Sequence, residues 1–248
     1  VGYLVMSKLV NKAISQSLAQ DRNFSELNFY KKDRWVDSKG GVLNYRYREP
    51  EIFEPNKKYP LILFLHGSGG RGSDNEQQLW DANAIGAFAK QKVSSKFQSY
   101  IFAPQVPLNE RWVSTEWDTD DYKLLPISST MRKTLAALDS FIDNNKHVDT
   151  DRVYVLGLSM GGWGTWDAIT RRPNFFAAAV PICGGGDPSQ AKDITEVNIW
   201  AWHGENDSVI DVYKSQQMVG AINSRNGNVR YTEIKGRGHD SWLDVWNN

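Results

Sequence analysis

The 248-residue chain is globular in composition and carries no net charge. Its 29 basic residues balance 29 acidic ones, and 40% of its residues are hydrophobic, which excludes a disordered or collagen-like chain. The neutral balance argues against a nucleic-acid partner, because phosphate binding usually needs a basic surface. It also argues against a polybasic membrane anchor.

The sequence leaves the cellular compartment open. Cys183 is the only cysteine, so no disulfide can form within the chain. No apolar run approaches the roughly 18 residues of a membrane-spanning helix, and we predict no membrane association. The first residues lack the charged and apolar regions of a signal peptide. Secreted, periplasmic and cytoplasmic locations are all compatible with the sequence. The sequence does not indicate whether the protein is a monomer or an oligomer.

The first predicted elements are two strands joined by a tight turn. Residues 28–36 and 42–48 have β character and are separated by Asp37-Ser38-Lys39-Gly40-Gly41, which is typical of a hairpin turn. Residues 1–27 have only loose helical spacing of apolar residues and are interpreted as an N-terminal extension.

After Pro60, buried strands alternate with helices. The predicted strands are residues 61–65, 100–103, 153–157, 177–182, 199–203 and a more polar 229–234. The predicted helices are residues 74–90, 128–145, 160–171 and 211–226. This alternation predicts an α/β fold with a mostly parallel sheet and helices on both faces, with the hairpin at one edge. Because no repeat or linker interrupts the pattern, we predict one domain over residues 1–248.

One strand runs into a serine-containing turn and then a helix. Residues 153–162 read V-Y-V-L-G-L-S-M-G-G, which contains the G-x-S-x-G pattern of a nucleophile elbow. Gly157 and Gly161 are expected to avoid collisions with the neighbouring strand and helix. The pattern predicts Ser159 as a nucleophile, and the alternative is a glycine-rich turn with a helix-capping serine.

A serine nucleophile needs a base that is held by an acid. In this fold type the chain order is Ser, then Asp or Glu, then His. His203 and His239 are the two histidines after Ser159, and Asp207 lies just past the strand that ends near His203. Because His239 lies in a loop after the last strand, order and placement predict the triad Ser159, Asp207 and His239.

Other polar residues near these positions have alternative interpretations. His203, at the strand end, is expected to support the acid loop rather than act as the base. Glu205 and Asp211 are rival acids, but Glu205 is close to the strand end and Asp211 is expected to begin a helix. Asp240 is interpreted as a helix start, and His147 as a helix C-terminus.

A glycine-rich loop follows the first buried strand. Residues 65–72 read L-H-G-S-G-G-R-G, and the backbone N–H groups of such a loop can stabilise an oxyanion. We predict an oxyanion hole formed by the N–H of Met160 and that of Ser68 or Gly69, with His66 bracing the loop. The rival interpretation, a phosphate-binding loop, lacks the G-K-[ST] and G-x-G-x-x-G signatures.

These motifs together resemble the α/β-hydrolase superfamily. The segments YPLILFLHGSGGRGSDN, APQ followed by Trp112, GLSMGGWGTWD, HGENDSVI and GHDSW are similar to one subgroup of it. That subgroup contains carboxylesterases, the feruloyl and acetyl-xylan esterases of carbohydrate esterase family 1, polyhydroxybutyrate-depolymerase-like esterases and proteins described as predicted peptidases. The resemblance covers residues from about 40 to 248. It implies the triad Ser159, Asp207 and His239, and it departs from the family pattern at Asp211, where proline is usual.

The resemblance implies hydrolysis of an ester through an acyl-enzyme. We expect no metal or other cofactor, because the sequence has no H-E-x-x-H motif and no cluster of histidines and cysteines. The expected partner is a small-molecule or polysaccharide-linked ester. Trp112, Trp117, Trp163 and Trp242 lie in or near loops beyond strand ends, where aromatic faces could bind a sugar or a ferulate group. Trp163 could instead pack the elbow helix on the sheet.

Several functions fit this pattern. We expect a serine esterase that acts on carbohydrate-linked feruloyl or acetyl esters. A general short-acyl carboxylesterase and an oligopeptide hydrolase are the enzymatic alternatives. A non-catalytic binding protein with the hydrolase fold is the alternative from another class.

Overall fold

An eight-stranded sheet organises the protein. The computed structural model describes residues 24–89, 96–117 and 119–247, so the predicted N-terminal extension lies outside it apart from a short helix at its end. The strands are β1 (Lys31–Val36), β2 (Val42–Arg48), β3 (Tyr59–Leu65), β4 (Tyr100–Pro104), β5 (Val148–Leu158), β6 (Ala178–Ile182), β7 (Asn198–Gly204) and β8 (Val229–Ile234).

The strand order confirms the predicted mostly parallel sheet. The order is β1-β2-β4-β3-β5-β6-β7-β8, and the six strands from β4 to β8 are parallel. β2 pairs with β1 and with β4 in the antiparallel sense, so the hairpin lies at one edge, as predicted. In the turn, Asp37 accepts the backbone N–H groups of Lys39 and Gly41, while Gly40 has a φ of +80°. That left-handed conformation favours glycine.

Seven α-helices lie in the described part of the chain. They are α1 (Phe24–Leu27), α2 (Gln77–Trp80), α3 (Ala84–Ala89), α4 (Ser129–Asn144), α5 (Met160–Arg171), α6 (Tyr213–Asn223) and α7 (Trp242–Val245). Helix α5 begins and ends at the predicted residues. Helix α4 begins after Ser128, whose hydroxyl accepts the N–H of Met131 as an N-cap. No helix among the described residues is long and apolar enough to cross a membrane.

The single helix predicted over residues 74–90 is wrong. The structure divides this segment into α2, a 3₁₀ turn (Asp81–Asn83) and α3. Ala82 and Asn83 both have a φ of +52°, which is incompatible with a continuous right-handed helix. The segment therefore contains two short helices in place of the single predicted one.

Helices cover both faces of the sheet. On one face, side chains of α4, α5 and α6 such as Leu138, Trp166 and Met218 pack on the inward residues of the central strands. On the other face, side chains of α2 and α3, such as Leu79 and Phe88, pack on the opposite side of the same strands. Because both faces are buried, the central strands read as continuous apolar runs.

The carboxyl end of β5 passes into α5 through a turn that lies directly against β3. A Cβ atom on Gly161 would overlap the backbone carbonyl oxygen of Leu65, and one on Gly157 would overlap backbone oxygens of Gly161 and Leu65. Backbone atoms cannot move aside as a flexible side chain can. The two glycines therefore permit the close approach of helix and strand, as the sequence predicted.

The substitution Gly161→Ala tests this constraint. We expect it to lower the free energy of unfolding by about 4 kcal/mol or more, because the new methyl group must displace β3. Urea denaturation followed by circular dichroism measures the change. The control is Gly220→Ala in α6, where a Cβ meets no atom within 4 Å. This change should stabilise the protein by about 0.5–1 kcal/mol. Equal effects of the two substitutions would contradict the packing argument.

Candidate active site

Ser159 occupies a strained turn at the carboxyl edge of the sheet. Its φ of +55° and ψ of −116° are unusual for a residue with a side chain. Its N–H donates to the carbonyl of Ile182 at 2.9 Å, which ties the turn to β6. The turn lies between β5 and α5, where a nucleophile elbow is expected.

Three side chains that are far apart in the sequence form one hydrogen-bonded chain. His239 Nε2 lies 2.9 Å from Ser159 Oγ, and His239 Nδ1 lies 2.7 Å from Asp207 Oδ2. Because an ionised carboxylate only accepts hydrogen bonds, Nδ1 carries a proton and Nε2 is free to accept the serine proton. The structure therefore brings together the three residues that the sequence predicts as a triad.

Asp207 is held in its charged form by its hydrogen-bond partners. Oδ1 accepts the backbone N–H groups of Val209 and Ile210 at 2.9 and 3.0 Å. Burial would raise the pKa of Asp207, but the hydrogen bonds from His203 and His239 outweigh burial and hold the pKa well below its usual range. A carboxylate that stays ionised can stabilise a positive charge on His239.

His203 lies beside the loop that contains Asp207. Unlike His239, it does not hydrogen-bond to Ser159. Its Nε2 lies 2.9 Å from the carbonyl oxygen of Ile210 and 3.3 Å from Asp207 Oδ2, so Nε2 carries the proton. Its Nδ1 lies 2.7 Å from Ser215 Oγ. These bonds correspond to the supporting position that the sequence predicts for His203.

The rival acids bond elsewhere. Glu205 Oε2 accepts the N–H of Gly236 at 2.7 Å. Asp211 Oδ1 accepts the N–H of Tyr213 at the start of α6, in agreement with its predicted position at a helix start. Among the candidates considered, Asp207 is the carboxylate hydrogen-bonded to His239.

The glycine-rich loop after β3 lies beside the elbow. Ser68–Gly70 form a 3₁₀ turn, closed by a hydrogen bond from the Gly70 N–H to the Gly67 carbonyl. A Cβ on Gly67 would meet the side chain of Leu158, the residue before Ser159. Met160 begins α5, so its N–H has no partner within the helix. Donation from Met160 and from Ser68 or Gly69 to an oxyanion stays a prediction.

His66 contacts the backbone around this loop. Its Nδ1 lies 2.6 Å from the Gly67 carbonyl, and its Nε2 accepts the N–H of Val106 at 3.0 Å. Burial lowers the pKa of His66 to about 4, so the ring is neutral at physiological pH. His66 thus links the loop after β3 to the segment after β4.

The tryptophans predicted to bind substrate divide into two groups. Trp112 and Trp163 are 0% and 1% exposed, which corrects the expectation that their faces line the cleft. Trp112 Nε1 donates to the carbonyl of His66, and Trp163 packs edge-on against Tyr122. Both rings are core residues because their faces are covered by neighbouring elements.

Trp117 and Trp242 are partly exposed. The Trp242 ring stands perpendicular to the His239 ring, with 5.5 Å between centroids. The guanidinium of Arg111 lies 4.6 Å from the centroid of the Trp117 ring. A substrate contact for either ring stays a prediction.

Cys183 lies beside the triad in a strained conformation, with a φ of +40°. Its sulfur and ligand atoms of Asp207 and His239 lie within 4.8 Å of one another. Burial raises the pKa of the Cys183 thiol, which keeps it protonated and makes it a poor metal ligand. Asp207 and His239, the other two residues of this group, already hydrogen-bond to each other within the Ser–His–Asp chain.

Asp81 is a further acidic group near the site that the sequence did not single out. It begins the 3₁₀ turn that breaks the predicted helix over residues 74–90. Its carboxylate lies against Gly67 and Gly69, where a Cβ on either glycine would overlap it. No residue pattern indicated this position, because the contact depends on the break in the helix.

Comparisons with known proteins find relatives that are named as esterases and peptidases. The model of the prolyl oligopeptidase family matches residues 112–202, which include the elbow. A bifunctional acetylxylan esterase/xylanase from Neocallimastix patriciarum is 37% identical over 202 residues, which are 79% of this chain and 25% of that protein. The chain therefore spans a quarter of the length of this relative.

Two solved structures have the same fold. The crystal structure of a thermostable esterase superimposes with a TM-score of 0.82 at 33% identity, covering 89% of this chain and 60% of the other. A ferulic acid esterase superimposes with a TM-score of 0.64 at 18% identity, covering 88% of this chain and 95% of the other, which is a likeness of fold alone. The sheet, the elbow and these relatives make the chain a member of the α/β-hydrolase superfamily.

Proposed function

We propose that the protein hydrolyses carboxylic esters through an acyl-enzyme on Ser159. The observation that carries the proposal is the hydrogen-bonded chain from Ser159 Oγ through His239 to Asp207, built on an elbow at the carboxyl edge of the sheet. In this fold class ligands bind at that edge. The curated and structural relatives above 30% identity are named as esterases.

In the first half of the reaction, Ser159 Oγ attacks the ester carbonyl while its proton passes to His239 Nε2. Asp207 stabilises the imidazolium that forms, through its bond to Nδ1. The carbonyl oxygen becomes an oxyanion, which the N–H groups of Met160 and of Ser68 or Gly69 stabilise. The intermediate collapses when His239 gives the proton to the leaving alcohol.

In the second half, water replaces the alcohol. His239 takes a proton from the water, and the resulting hydroxide attacks the acyl carbonyl. A second oxyanion forms in the same position. Its collapse breaks the bond to Ser159 Oγ, returns the proton to the serine and releases the carboxylic acid.

We propose carbohydrate-linked feruloyl or acetyl esters as the substrates. A cavity of about 520 Å³ opens beside the acid loop, lined by Asp207, Val209, Tyr213 and Lys214 among others. Tyr213 is exposed, and the Trp242 ring lies edge-on to the His239 ring, with 5.5 Å between centroids. Aromatic faces of this kind suit a sugar or phenolic ring, and the relative of 37% identity is named as an acetylxylan esterase.

An oligopeptide hydrolase is the second candidate. The match of the prolyl oligopeptidase family model to residues 112–202 favours it. The same three side chains can cleave an amide, provided that the leaving amine is protonated by His239. A general short-acyl carboxylesterase and a non-catalytic binding protein are the further alternatives. Activity measurements distinguish these alternatives from one another.

Replacing the nucleophile tests the mechanism. Ser159→Ala should lower kcat for p-nitrophenyl acetate by more than about 10⁴-fold, because the acyl-enzyme can no longer form. It should also abolish labelling by a fluorophosphonate probe. The melting temperature serves as the control and should change little, because alanine has nearly the shape of serine. Full activity in the variant would exclude Ser159 as the nucleophile.

Replacing the acid tests its role against a rival. Asp207→Asn should lower kcat by about 10³-fold or more, because a neutral amide cannot stabilise the imidazolium and can favour the wrong tautomer of His239. The matched variant Glu205→Gln removes an exposed carboxylate two residues away and should keep kcat within about twofold. Steady-state kinetics at pH 8 measures both. A larger loss in the Glu205 variant would transfer the role to Glu205.

A substrate panel tests the specificity. The panel contains methyl ferulate, acetylated xylan, p-nitrophenyl acetate, p-nitrophenyl butyrate and a peptide p-nitroanilide. We expect the highest kcat/KM for a feruloyl or acetylated carbohydrate ester, because of the aromatic groups around the site. Cleavage of p-nitrophenyl esters alone would indicate a general carboxylesterase, and preference for the anilide would indicate a peptidase. Binding without turnover would favour the non-catalytic alternative.

A further inference from the structure

The cavity beside the loop that contains Asp207 is lined by side chains of both charges. Lys214 supplies an ammonium group, Asp120 and Asp211 supply carboxylates, and the exposed ring of Tyr213 lines the cavity too. The oxygens of Asp207 already accept hydrogen bonds from backbone N–H groups and from an imidazole. A ligand in this cavity would therefore meet the other charged side chains.

Lys214 is unusual because it is a nearly buried lysine without a close carboxylate among the described residues. Its side chain is only 7% exposed, and the carboxylate that pairs with it, that of the fully exposed Asp120, lies 3.9 Å away. Its Nζ donates to the backbone carbonyl of Thr119. Because an ammonium group has three N–H donors, this bond leaves donors for a ligand.

Packing fixes the position of this ammonium group. Lys214 lies in the first turn of α6, and its stem packs beside Gly185 and the rim of the Trp163 ring. A Cβ atom on Gly185 would lie 2.9 Å from Lys214 Cβ and 2.8 Å from the Trp163 ring. The stem is therefore already ordered, so a hydrogen bond from Nζ to a ligand costs little side-chain entropy.

Asp211 adds a hydrogen-bond acceptor at the position where the family pattern has proline. It is exposed, and its Oδ1 accepts the N–H of Tyr213 at 2.8 Å, which orients the carboxylate just before α6. A carboxylate has about four acceptor positions, so this bond leaves others for a ligand. Proline has no side-chain acceptor, and the carboxylate is therefore a feature of this chain rather than of the family pattern.

A donor, an acceptor and an aromatic face together match the chemistry of a sugar ring. Each sugar hydroxyl both donates and accepts a hydrogen bond, so neighbouring hydroxyls can pair with Lys214 and with Asp211. The apolar face of the ring packs on an aromatic side chain such as Tyr213. The cavity volume of about 520 Å³ lies in the range of ligand pockets.

We propose that this cavity is the subsite for the sugar part of the ester and that Asp211 and Lys214 determine its specificity. Asp211 accepts and Lys214 donates hydrogen bonds to neighbouring hydroxyls, while Tyr213 stacks on the ring. Because Asp207 lines the same cavity and bonds to His239, a sugar bound there lies beside the triad. This inference rests on the proposed function, since it concerns the alcohol part of the same ester.

The variants Asp211→Ser and Lys214→Met each remove one charged group with little change of local structure. Serine keeps an oxygen near the Tyr213 N–H, and methionine keeps an unbranched stem beside Gly185. The measured quantity is the ratio of kcat/KM for acetylated xylo-oligosaccharides to kcat/KM for p-nitrophenyl acetate, which has no sugar. We expect each variant to lower this ratio by about tenfold, mainly through a higher KM for the sugar ester.

The matched control is Asp193→Ser, which removes an exposed carboxylate that does not line the cavity. It should leave the ratio unchanged. Binding is measured separately by titrating xylotriose into the inactive Ser159→Ala variant. The additional substitution Asp211→Ser should weaken this binding by about tenfold.

An unchanged ratio in Asp211→Ser would overturn the proposal, because groups that serve only stability do not discriminate between substrates. Loss of activity on a peptide with a free N-terminal ammonium group, with the sugar ester unaffected, would also overturn it, since the carboxylates would then bind a cation. Should Lys214→Met fail to fold, Asp211→Ser and the titration decide.

Two results for the unsubstituted protein separate this inference from the proposed function. Cleavage of p-nitrophenyl acetate without binding of xylotriose would exclude the sugar subsite and leave ester hydrolysis intact. Inactivity on every ester of the panel would refute the proposed function, and this inference with it.

Discussion

The close approach of the elbow to β3 is the constraint on which the rest of the site depends. Because residues 157 and 161 carry no Cβ, the start of α5 lies directly against the carbonyl of Leu65. That approach fixes the strained turn at Ser159 and brings the N–H of Met160 to the same edge as the loop after β3. Strain of this kind persists only when the surrounding structure holds it. Here the backbones of β3 and β6, the two strands that flank β5, hold the turn in place.

Electrostatics around His239 complete the site. Asp207 is stabilised as an anion by two backbone N–H groups and two imidazoles, so its charge costs little. Asp81 Oδ2 has no hydrogen-bond partner among the described residues, and burial raises the pKa of Asp81 to about 6. The two carboxylates thus lie in opposite environments. This contrast follows from their neighbours and not from their residue type.

The motifs predicted the triad residues and the main elements because each depends on local chemistry. Strand runs, helix periodicity and the G-x-S-x-G turn are short-range patterns, and the order of strands places their carboxyl ends together. The accessibility of the tryptophans was not predictable in the same way. Trp112 lies in a loop but is fully buried, and its indole N–H bonds to the carbonyl of His66, 46 residues away in the chain.

The sequence alone determined the fold class, the parallel sheet with its edge hairpin and the three residues that meet as Ser–His–Asp, because patterns of hydrophobicity and glycine carry that information. Only the tertiary structure decided which aromatic rings remain exposed, where the helix over residues 74–90 breaks and which carboxylates have partners. Those properties depend on contacts between distant segments. Asp81 is the clearest case: its neighbours Gly67 and Gly69 come from another loop, and no local pattern around residue 81 records them.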